Sequence, residues 1–207
     1  MAMSLSLPDR AGSAAASDGT HQLRLAPLKR LPTLLLRLMA WGFRKQLGKV
    51  MTPLTVIYAR FPRMAFRQLL MLALVEKLSL GKQLVALVQT RVSMSNGCTF
   101  CADLHEAFAA RQSKQSMSKL RGKFAALGAF ETSPLFDDRE RAVLRYAHHV
   151  ALDGRVPDDV FAALRAQLSE KEVVELTWLC AFTTYLNRLA VPLGIGSDGF
   201  CALLPAD

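Results

Sequence analysis

Apolar residues along this chain recur at helical spacing, and the residues that break the spacing mark where each helix ends. From Leu31 to Lys49, Leu34, Leu35, Leu38, Met39, Trp41 and Leu47 are interleaved with Arg37, Arg44, Lys45 and Lys49, as in a basic amphipathic helix. Pro53 and Pro62 punctuate the next stretch and allow only a short helix between them. Met64 to Leu78 predicts a second long helix, closed by Ser79-Leu80-Gly81. A third carries Leu84, Val85, Leu87, Val88, Val92 and Met94 and is nearly all apolar, the pattern of a helix inside a bundle. Asn96-Gly97 stops it, since glycine readily takes the left-handed backbone that closes a helix.

A new helix is expected from Cys98 to about Arg111, then a basic one from Lys114 to Leu127 and a loop from Gly128 to Phe136. Asp137-Asp138 opens the next helix, with two carboxylates at the positive end of its dipole, and that helix ends near Asp153-Gly154. Pro157-Asp158-Asp159 starts another. Ser169 and Glu172 have capping-box spacing at the head of a last long helix through Leu189. No strand alternation and no tandem repeat is readable. The pattern predicts an all-α bundle of about seven or eight helices, forming one domain over residues 28–207. Residues 1–27, without periodicity, are expected to be a disordered tail, and residues 28–50 a basic helical arm.

Apolar residues make up 51% of the 207, ample for a core. No uncharged apolar run reaches the roughly 18 residues of a membrane span, and Met1 to Arg30 lacks a signal-peptide core. Four cysteines with a lone CxxC pair do not make a disulfide scaffold, which points to the cytoplasm. Residues 1–81 hold twelve Lys/Arg against three Asp/Glu, whereas residues 82–207 hold fourteen of each. The excess charge is thus confined to the N-terminal part. A basic amphipathic helix there could seek anionic lipid or an acidic protein, but packing on the core or a neighbouring subunit is the commoner fate. A membrane surface is therefore not expected, and with no nucleic-acid motif present neither is nucleic acid.

The candidate chemistry lies in Asn96-Gly97-Cys98-Thr99-Phe100-Cys101-Ala102-Asp103-Leu104-His105. In a helix starting at Cys98 both sulfurs fall in the first turn, on one face, where they can close a disulfide. The unpaired N–H groups and dipole of a helix start favour thiolate, with cysteine pKa values of roughly 3.5–7.5 at such places. His105 follows Cys101 by one turn on the same face. This geometry nominates Cys101 as nucleophile, Cys98 as resolving partner and His105 as acid/base. A zinc site would need a second matched pair, and Cys180 and Cys201 are not spaced as one. Buried, purely structural cysteines with a core histidine remain open. A thioredoxin-like assignment lacks its preceding strand.

Arg91 to His105 resembles the signature of the AhpD-like alkylhydroperoxidase and carboxymuconolactone decarboxylase family. Glu140-Arg141-Ala142 to Tyr146-Ala147, and Val173 to Thr177 through Asn187-Arg188, resemble it too, so the likeness spans about residues 50–195. It implies an all-α fold assembling into homo-oligomers (dimer, trimer or hexamer), with the redox centre near packed subunits. It also implies peroxide reduction in which Cys101 is oxidised, Cys98 resolves it as a disulfide, His105 relays the proton and a dithiol is the electron donor. No metal or cofactor is expected.

The chain departs from the peroxidase pattern at two positions. The relay glutamate about three turns before the cysteine pair falls on Ala86, and the histidine often found before the second cysteine is Phe100. Asp103 and Glu106 project from other faces of the helix. A protein or small-molecule disulfide is thus an alternative substrate, while the decarboxylase branch generally lacks the CxxC pair. A reading of another class is a non-catalytic scaffold docking through the basic N-terminal region. His148-His149 point apart and read as surface or interface residues, Cys180 as a core cysteine, and Cys201 as a packed tail residue.

Overall fold

The computed structural model describes residues 22–112 and 117–203. Among these the backbone forms eight α-helices and no strand: α1 (Leu34–Leu47), α2 (Pro62–Val75), α3 (Lys82–Ser95), α4 (Thr99–Gln112), α5 (Met117–Ala125), α6 (Asp138–Leu152), α7 (Asp158–Arg165) and α8 (Glu170–Ala190). The all-α architecture expected from the periodicity is the one found. Residues 1–21 of the expected tail, and the first residues of the helix expected from Lys114, lie outside the described residues.

The ends of the helices have local causes. Thr33 caps α1 by accepting the Leu36 N–H at 3.3 Å. Only a π-helical turn, Leu54–Tyr58, fits between the two prolines, and Pro62 then sits in the first turn of α2. Asp137 with Glu140, and Ser169 with Glu172, close complete capping boxes on α6 and α8.

The bundle is organised around α3, which is buried on every side. Leu84, Val85, Val88 and Val92 pack with residues of α6, α7 and α8. Ala86 and Leu87 pack instead with Leu120, Phe124 and Leu144. A separate cluster holds Cys98, Phe100, Cys101 and Ala107 of the α4 segment against Leu47, Met51, Ile195 and Phe200. By contrast α2 buries only Ala65 and Gln68, and leaves Phe66, Leu70 and Leu74 exposed.

Residues 22–28 cross the surface without regular structure. Arg24 N–H donates to the Leu193 carbonyl and Leu28 N–H to that of Thr55, both at 3.1 Å, and the Arg60 guanidinium holds the Ala26 carbonyl at 2.8 Å. Gly194 makes the crossing possible: its φ is +67°, and a Cβ there would meet the Gln22 carbonyl oxygen at 2.2 Å. Among the described residues no helix is long and apolar enough to cross a membrane.

Candidate functional site

Because α3 and α4 are consecutive, the turn between them decides where the cysteines sit. Gly97 has φ +68°, the Cys98 N–H reaches back to the Ser93 carbonyl at 2.8 Å, and the Gly97 N–H reaches Met94 at 3.1 Å. These two bonds form a Schellman closure of α3. The turn is also tied to α8. Asn96 donates to Asn187 at 3.0 Å and to Thr184 at 3.2 Å, and the buried Asn187 donates in turn to Ser93 at 3.2 Å.

The next helix begins at Thr99, one residue later than the sequence implied, so Cys98 is its N-cap and not part of its first turn. Its carbonyl accepts the Ala102 N–H at 3.1 Å, and its sulfur accepts the Cys101 N–H at 3.3 Å. Cys98 therefore caps α4 with sulfur where serine or aspartate would use oxygen. Cys98 and Cys101 are joined as a disulfide with their Cα atoms 5.3 Å apart, and are only 1% and 4% exposed.

His105 stands one turn beyond Cys101, a separation that places Cβ atoms about 5–6 Å apart. Its ring faces a cavity of about 440 Å³ lined by Leu69, Leu72 and Ala73 of α2, Ala86 and Gln89 of α3, and Leu104 and Phe108 of α4. Burial pushes the His105 pKa down to about 4, so the imidazole is neutral at neutral pH. Ala86, where the family likeness would place a carboxylate, is part of the same apolar wall. Glu76 and Lys82 also line the cavity, but they are largely exposed and pair with each other at 3.1 Å.

The other acids of α4 are engaged elsewhere. Asp103 accepts from Ser197 Oγ at 2.8 Å and from the N–H groups of Phe200 and Cys201 at 2.9 and 2.8 Å, and so clamps the C-terminal segment onto α4. Burial works to raise the Asp103 pKa, but these hydrogen bonds outweigh it and hold the carboxyl below its usual range. Glu106 is shifted upward, first by burial and then by the charge of Asp103.

The remaining sequence candidates do not gather at the site as one metal set. Cys180 lies in the core with α3 and α6, where burial pushes its pKa up to about 12. Cys201 donates its thiol to the Asp103 carbonyl at 3.3 Å, and burial followed by the Glu106 charge pushes its pKa well up. His148 contacts Arg91 and Ser95 at 3.2 Å, and, although adjacent helical residues were expected to point apart, its ring centroid lies 5.9 Å from that of His149. Among the described residues no group of three or more His, Cys, Asp or Glu side chains could hold a metal ion.

Sequence reasoning missed Asn187, Asp103 as a clamp, and Gln89. The first two act across more than 90 residues, where spacing carries no signal. Gln89 leaves a weak one: it is the first polar residue after the apolar run Leu84 to Val88.

Residues 64–149 match the carboxymuconolactone decarboxylase family. The uncharacterized protein YnjA of Escherichia coli strain K12 is 28% identical over 182 residues, covering 86% of this chain and 96% of its own. The fold is similar to that of the debrominase Bmp8, with a TM-score of 0.72 at 20% identity over 86% of this chain and 93% of Bmp8. It is also similar to ATU0492 of Agrobacterium tumefaciens, a protein of unknown function ascribed to antioxidant defence as an AhpD protein. There the TM-score is 0.57 at 27% identity, over 73% of this chain and 98% of the other. The CxxCxxxH segment of α4 lies inside the matched region, so that it is residues 64–149 of the chain that resemble the carboxymuconolactone decarboxylase family.

Proposed function

We propose that this chain is a dithiol oxidoreductase that reduces organic hydroperoxides through Cys98 and Cys101. The observation that carries the reading is the Cys98–Cys101 bond at the start of α4, one turn from a neutral histidine that opens onto an apolar cavity. In the reduced enzyme His105 takes the Cys101 thiol proton, and the thiolate attacks the terminal peroxide oxygen. The O–O bond breaks, the proton passes to the leaving alkoxide, and the products are an alcohol and Cys101 sulfenic acid. The Cys98 thiol then displaces water from that sulfur and closes the disulfide. A dithiol donor reopens it by attack on Cys101. Cys98 is the better leaving thiolate, because its sulfur already accepts an N–H at the positive end of α4.

The apolar wall supports an organic substrate over hydrogen peroxide. Bmp8, a debrominase of similar fold, was seen as a Cys-to-Ala variant in complex with a small organic ring, 2,3,4-tribromopyrrole. A second reading rests on Ala86: without a carboxylate beside His105, exchange with a protein or small-molecule disulfide asks less of the histidine than peroxide cleavage does. In either case we place the enzyme in the reducing cytoplasm and as a homo-oligomer, supported by the apolar face that α2 leaves uncovered beside the cavity.

The test is turnover of an organic hydroperoxide with a small dithiol as donor. The wild-type chain should turn over, Cys101→Ser should not, and Cys98→Ser should stop after one event with sulfenic acid on Cys101. Undiminished turnover in Cys101→Ser contradicts the mechanism. Inertness toward hydroperoxide combined with consumption of a disulfide favours the second reading.

A further inference from the structure

The basic N-terminal part is not merely a compositional bias. Between Thr20 and Val75 the chain has ten Lys or Arg residues and no Asp or Glu. Every ion pair among the described residues lies outside that span, and none of its cations meets a carboxylate. On α1, Leu36 and Leu47 are buried and Phe43 lines the cavity, so one side of the helix is fully used. The other side carries Leu34, Leu38 and Trp41, which are 71%, 57% and 65% exposed. At 100° per residue these three and Lys45 fall on one narrow stripe. Lys45 extends over the Trp41 ring at 5.4 Å, and Lys29, Arg30, Arg37 and Arg44 line an open groove beside it.

We propose that this face of α1 docks on an anionic lipid bilayer. The pairing of an apolar stripe with flanking unpaired cations fits the two layers of such a surface. Leu34, Leu38 and Trp41 would enter the acyl boundary while the Arg and Lys heads stay at the phosphate level. From sequence alone, packing on protein was the expected fate of this helix, but the exposure of the stripe argues against packing within the chain. Charge argues against a second copy: a two-fold contact through this face would set the same unpaired cations opposite each other. Docked this way, α1 separates the bilayer from the His105 cavity by about one helix diameter of 10–12 Å.

The experiment uses the full chain and vesicles of phosphatidylcholine alone or mixed with phosphatidylglycerol. Sedimentation measures binding, and Trp41 emission, taken as the difference between wild type and Trp41→Phe to remove Trp178, reports insertion. The expected result is binding to the mixed vesicles only, with a blue shift of Trp41 and release at high salt. Arg37→Gln with Arg44→Gln should weaken partition roughly thirtyfold, from the typical contribution of each surface cation. Leu38→Glu should abolish the blue shift. Helical content should be unchanged in all variants, because the altered side chains face solvent. Absence of binding, equal binding to neutral vesicles, or binding that survives the α1 changes would overturn the proposal. So would capture by soluble polyglutamate that is as strong as by vesicles, which would assign the patch to an acidic protein.

Discussion

Ala86 on α3 and His105 on α4 line the same apolar cavity, and no carboxylate there shifts the histidine upward. Restoring one at that position tests what the histidine lacks. Ala86→Glu should raise the His105 pKa from about 4 toward its ordinary value. It should also speed reduction of an organic hydroperoxide by about 10–100-fold, a part of what acid/base catalysis commonly supplies. Burying the new carboxyl should cost roughly 1–3 kcal/mol of stability. A histidine that moves in an NMR titration while the rate stays unchanged would show that His105 is not the relay.

The same histidine makes stability depend on pH. Its pKa is lowered in the folded state to about 4 from an ordinary 6.5, so the unfolded chain binds the proton first as pH falls. Stability from this group is complete above about pH 6.5 and is lost between there and about pH 4. The loss is at most about 3 kcal/mol, and less to the extent that the cavity admits water. Denaturant titrations of wild type and His105→Gln at several pH values isolate it, since the stability difference between them should change only within that window and stay constant above and below it. His148, also shifted downward by burial and Arg91, contributes equally to both proteins and cancels.

Asn187 supports the cysteine turn from a helix 91 residues away from Asn96. Asn187→Ala removes its bonds to Asn96 and Ser93 in a fully buried place and should cost about 1–3 kcal/mol. Beyond stability, it should slow closure of the Cys98–Cys101 bond in reduced protein, read by timed alkylation and mass analysis. Loss of stability with unchanged closure would make Asn187 structural only.

Much of this architecture was legible because local rules and tertiary packing agree. Asp137 and Ser169 announce α6 and α8 by capping chemistry that the structure completes, and the all-round apolar pattern of α3 places it at the centre. The site was legible only along α4, where spacing dictates which side chains share a face. That Cys98 would be the cap itself depends on a one-residue boundary, below what periodicity resolves. The clamp from Asp103 to residues 197–201 and the tie from Asn96 to Asn187 were invisible, since each joins segments whose closeness arises only when the bundle packs.

The most direct test of the account is addition of an equimolar organic hydroperoxide to the reduced chain, followed by trapping of free thiols and mass analysis of the peptide that contains Cys98 and Cys101. The account predicts one alcohol and one Cys98–Cys101 disulfide for each peroxide consumed, with Cys180 and Cys201 still reduced. Cys98 and Cys101 remaining as free thiols while the peroxide persists would contradict it.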